Sequence, residues 1–157
     1  MVLGPEAGLQ TGGSLRAVTN TSLAQSYLIK ATKRLHILQV LFDDEAFSDV
    51  VREAQEIVEL RLKGVLRQVG VEPPHWHDVS PMLREYHERL PQSVREHIER
   101  IAEVSGWLRK EREFAFYGDI DFIPTEEYAQ RDAERAIADA RWIVGIAALV
   151  IPPVERG

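Results

Sequence analysis

The sequence predicts an all-α protein, an up-and-down helical bundle of about five helices. Three observations carry that expectation. Apolar residues recur in steps of three and four over long windows, as helices with a buried face require. No segment shows the two-residue alternation of a half-buried strand. The breaks between the periodic windows are mostly short, which favours antiparallel neighbours. With 157 residues, one domain can bury a core without disulfides or metal.

Residues 1–19 are rich in Gly, Thr and Ser without sustained periodicity and read as a flexible arm, leaving 20–152 as the single helical domain. The first helix is expected to start at a cap within Asn20–Ser22 and to end near Phe42. Its stripe is Ala24, Leu28, Ala31, Leu35, Leu38 and Phe42, with Lys30, Lys33 and Arg34 off it. Asp43 and Asp44 are placed to cap the second helix.

That second helix, Phe47 to about Val69, is apolar over more than one face and is expected to be packed on several sides. The other helices are organised around it. Gly64 in its interior costs roughly 1 kcal/mol of helix propensity relative to Ala, which points to a close helix approach. Glu59 and Lys63 form a favourable i,i+4 pair. Gly70 ends the helix, and a Pro73-Pro74 loop leads to a short third helix that starts at Asp78 or Ser80 and runs to about Leu90. Ser93 to Glu96 reads as a capping box for the fourth helix, whose stripe is Val94, Ile98, Ile101, Leu108 and Ala115, with Ser105 and Arg112 on the same side. Thr125 is expected to cap a fifth, Ala-rich helix that Pro152-Pro153 stops.

The absence of Cys excludes a disulfide framework, a thiolate metal site and a Cys nucleophile, and suits a cytoplasmic location. No apolar run reaches the ~20 residues that span a bilayer, and the first residues lack the pattern of a signal peptide. A net charge of −6 argues against non-specific coating of nucleic acid or anionic lipid.

The order of these features resembles a HEPN domain, the helical bundle named for higher eukaryotes and prokaryotes nucleotide-binding. The residues that carry the resemblance are Tyr27, Leu28, Ala31, Arg34 and Leu35 in the first helix, then Glu53 to Asp78 (EAQEIVELRLK running into GVEPPHWHDV), an Arg-rich stretch ending in Phe-Tyr-Gly-Asp, and the final Ala-rich helix. It covers roughly residues 20–150. The resemblance implies one of three roles. These are a metal-independent ribonuclease, often a toxin; a partner of a small nucleotidyltransferase in a toxin–antitoxin type pair; or a scaffold without catalysis. It also implies a homodimer with a cleft between protomers, binding nucleotide or RNA.

The ribonuclease members carry an Arg and a following His with four to six residues between them. Arg112 matches the Arg, Tyr117 stands where His is expected, and no His follows Arg109. Arg112 and Tyr117 are therefore the candidate catalytic pair, Arg112 holding a phosphate and Tyr117 positioning a ribose. Tyr, with a free pKa near 10, is a poor general base. The structural alternative pairs Arg112 with Glu56 or Glu59. The candidate ligand-binding residues are Arg109, Lys63, Glu56, His77 and Asp78. His75, His77 and Asp78 form a His-x-His-Asp cluster, which a helix-capping Asp78 explains without a metal. Neither metal nor cofactor is expected. Glu53, Glu56 and Glu59 read as a polar seam neutralised by Arg52, Arg61, Lys63 and Arg112. Trp76, Trp107 and Trp142 read as core or dimer-interface anchors. The expected function is a dimeric module associated with a nucleotide or a nucleotidyltransferase. The alternatives are a metal-independent endoribonuclease using Arg112 with Tyr117, and a structural oligomerisation module.

Overall fold

The computed structural model describes residues 12–75, 78–117 and 128–152, with side chains at 22–75, 78–111 and 128–152. Among them are six helices and no strand: α1 (Gly12–Asp43), α2 (Phe47–Gln68), α3 (Ser80–Glu85), α4 (Gln92–Arg95), α5 (Ile98–Tyr117) and α6 (Gln130–Ala147), with a 3₁₀ turn at His87–Arg89. The all-α bundle predicted from periodicity is the fold observed.

The second helix is the central one. α2 touches α1, α3, α5 and α6. Val50, Val51, Ala54, Ile57, Val58, Leu62, Val65 and Leu66 are all buried along it. Gly64 allows α1 to come close: a Cβ there would stand 3.3 Å from Tyr27 Cβ, 3.4 Å from the Ala24 carbonyl oxygen and 3.0 Å from Ile151 Cδ1. The helix ends in a Schellman turn. Gly70 adopts φ 81°, the Gly70 N–H donates to Arg67 O (3.1 Å) and the Val71 N–H donates to Leu66 O (2.9 Å).

Several boundaries differ from those expected. α1 starts at Gly12, two turns before the Asn20–Ser22 caps, because extending a helix costs far less than nucleating one and needs no stripe. Asp43 and Asp44 cap nothing; α2 begins after Ala46 with no side-chain cap. The turn between α1 and α2 is made by Glu45, which takes φ 59° so that Ala46 N–H reaches Leu41 O (2.9 Å). The capping box at Ser93 does not form. Pro91 precedes the first turn and Ser93 lies inside α4, which is separated from α5 by a turn at 96–97. Thr125 lies outside the described residues, and α6 opens with the Ala129 N–H donating to Asp132 Oδ2 (2.9 Å).

The α5–α6 seam is held by a reciprocal pair of contacts. Arg100 of α5 stacks on Trp142 of α6 (3.9 Å), and Arg135 of α6 stacks on Trp107 of α5 (4.0 Å). Trp107 and Trp142 are half-buried at this seam and pack against the edge of the core. Trp76 lies outside the described residues.

Candidate functional site

The polar residues that fall inside the bundle collect where α2, the start of α3 and α5 meet. Gln55 and Glu59 stand one turn apart on α2, Asp78 and Val79 lead into α3, and Ser105 and Arg109 stand one turn apart on α5. With Val58, Leu62 and Leu108 they line a narrow cleft of about 10 Å³, room for one water-sized group.

Asp78 is the hub. Its Oδ1 accepts the Ser80 N–H (3.0 Å), the Ser80 hydroxyl (2.7 Å) and the Ser105 hydroxyl (3.0 Å). The first two fix the entry to α3, although the N-cap position itself is Val79 and not the expected Asp78, and the third ties this entry to α5. Burial alone would raise the Asp78 pKa, but these bonds and the charge of Arg109 outweigh it and hold the carboxylate below its usual range. Asp78 is therefore an anion at neutral pH. Arg109 faces the same cleft and makes no ion pair or hydrogen bond among the described residues.

On the opposite wall Gln55 is 5% exposed and donates through Nε2 to Glu59 (2.9 Å), which also pairs with Lys63 (3.1 Å). The Gln55 Oε1 is buried and accepts nothing among the described residues. Such a carbonyl costs about 1–3 kcal/mol if left unpaired. The cleft therefore presents an unused acceptor, an ionised carboxylate and a guanidinium within one wall-to-wall span.

Of the residues singled out in the sequence, Asp78 and Arg109 come together here, while Lys63 is turned to Glu59 at the edge. Glu56 is elsewhere, 3.7 Å from Arg34 of α1, which also lies 4.0 Å from Glu53. The seam of α2 carboxylates is thus neutralised by Arg34 of α1 and by Lys63. Arg52 sits 3.8 Å from Asp49. Arg61 departs from that expectation: it is 2% exposed, its Nη2 donates to Thr32 Oγ1 (2.8 Å), and burial pulls its pKa down to about 10. His77 and the side chains of Arg112 and Tyr117 lie outside the described residues; their backbone at 112 and 117 continues α5. No three His, Asp or Glu side chains converge among the described residues. Gln55, Ser80 and Ser105 were not singled out as site residues. The position of Ser105 on the apolar stripe of its helix was the one available signal.

A HEPN domain model matches residues 24–150 of the chain. The chain belongs to the HEPN domain family. Nothing among curated proteins or solved structures matches it. In this HEPN domain the match runs from Ala24, the first buried residue of α1 among the described side chains, past the end of α6. No described helix is long and apolar enough to cross a membrane.

Proposed function

We propose that this HEPN domain acts by binding rather than by cutting: a cytoplasmic homodimer that engages a nucleotide or a small nucleotidyltransferase, as one half of a toxin–antitoxin type pair. The observation that carries the reading is the buried, unpartnered Gln55 carbonyl in a cleft that also holds Asp78 and Arg109. A nucleotide lying across the mouth of this narrow cleft offers matching chemistry, with an N–H donor directed at Gln55 and phosphate oxygens for the Arg109 fork. Lys63, paired with Glu59, stands on α2 at the edge of the cleft.

Calorimetric titration of the purified protein with ATP tests this. The wild type binds, Arg109→Ala weakens binding about tenfold or more, and Arg84→Ala, whose partner is the exposed Glu99, leaves it unchanged. A wild type that binds neither ATP nor a nucleotidyltransferase overturns the reading.

A further inference from the structure

The outer face of α1 carries an unusual pattern. Ile29, Ile37 and Val40 are 41%, 43% and 60% exposed, among the most exposed large apolar side chains described. They share one helical face with Lys33 and Asp44, in steps of four, four, three and four. The Asp44 N–H donates to Val40 O (3.1 Å), so Asp44 keeps the helical register one residue past the end of α1. Both Lys33 and Asp44 are exposed, and neither side chain has a partner among the described residues. An anion at the C-terminal end of a helix opposes the helix dipole, and Asp44 does not offset this by capping α2.

We propose that a second copy of this chain docks on this face, its α1 antiparallel to the first, with Ile37 beside the partner's Val40 and Lys33 beside the partner's Asp44. This rests on the homodimer reading above and names the surface. Charge selects the register. Setting Ile29 against the partner's Val40 would bring Lys33 to the partner's His36 and close to the partner's Lys33, placing like cations at the two-fold axis. Setting Ile37 against the partner's Val40 removes that repulsion. Lys33 precedes Ile37 by as many residues as Asp44 follows Val40, so the same register pairs Lys33 with the partner's Asp44. Two-fold symmetry makes each contact twice. Burying Ile37 and Val40 supplies the apolar centre, and the flanking pairs supply the specificity.

Sedimentation equilibrium of the full chain over a concentration series tests the surface. Lys33→Asp and Asp44→Lys each raise the dimer Kd about tenfold or more, since each turns two attractions into two repulsions. The double variant Lys33→Asp/Asp44→Lys returns Kd to within about threefold of wild type. Val40→Glu also dissociates the dimer. All these positions are exposed, and unchanged far-UV circular dichroism confirms that the monomer is intact. A wild-type dimer whose Kd ignores the single charge reversals overturns this surface and leaves the homodimer reading standing. A wild type that stays monomeric throughout overturns both.

Discussion

Replacing Gly64 by Ala sets two effects of known size against each other. Ala is favoured over Gly in a helix interior by about 1 kcal/mol. Against that, the new methyl would meet Ile151 Cδ1 at 3.0 Å, Tyr27 Cβ at 3.3 Å and the Ala24 carbonyl at 3.4 Å. Ile151 is itself 1% exposed and has no room to swing away, and Ala24 O belongs to a helix backbone. Overpacking of this kind costs about 1–3 kcal/mol, so the net loss is about 1 kcal/mol, with zero as the mildest outcome. The control is Gly106, also in a helix, where a Cβ would meet nothing within 4 Å. Gly106→Ala is expected to gain about 0.5–1 kcal/mol. For a domain of this size each kcal/mol moves the melting temperature by about 2–4 °C. Thermal denaturation by circular dichroism should therefore show Gly64→Ala melting below wild type and Gly106→Ala above it. Equal stabilisation by both would refute the close approach of α1 to α2.

Glu45→Gly should stabilise the fold by about 1 kcal/mol, because Glu45 holds a φ of 59° that Gly adopts without strain; urea denaturation reads this as a higher midpoint at unchanged slope. Asp78→Ala should cost about 2 kcal/mol at pH 7, from the lost bonds to Ser80 at the start of α3 and to Ser105 of α5. Asp78 has a folded pKa below its unfolded value, so its contribution is full above the unfolded pKa and is lost as pH falls through the folded one. The gap between wild type and Asp78→Ala should then narrow below about pH 4, and a gap that is constant with pH would contradict the assignment. Arg61→Met should be neutral or stabilising by about 1–2 kcal/mol, since Nε and Nη1 are buried without partners and only Thr32 is lost; a large drop in melting temperature would reveal a counter-charge.

The parts of the fold that were legible are those where one physical effect dominates. The stripes from Ala24 to Phe42 and from Val94 to Leu108 could be read because burial of one face imposes its period on the sequence. The end of α2 was legible because Gly70 alone adopts the required φ cheaply. Where competing solutions are close in energy, reading failed. Ser93 and Glu96 have the spacing of a capping box, yet Pro91 starts the turn earlier. Asp43 and Asp44 look like caps, but a Schellman-type turn at Glu45 leaves them behind. Within the site, charge announced Asp78 and Arg109. Gln55 and Arg61 are polar side chains at buried registers of α2, a position that looks like any surface register until the neighbouring helices are in place.

The binding-without-cleavage account is tested most directly by incubating the purified protein with a tRNA pool in the presence of a chelator, beside Arg112→Ala and Tyr117→Phe. The account predicts that the RNA stays intact over a long incubation with the wild type. Fragments that form despite the chelator and vanish with Arg112→Ala would contradict it, and would make Tyr117 the functional replacement for the His that no position after Arg109 supplies.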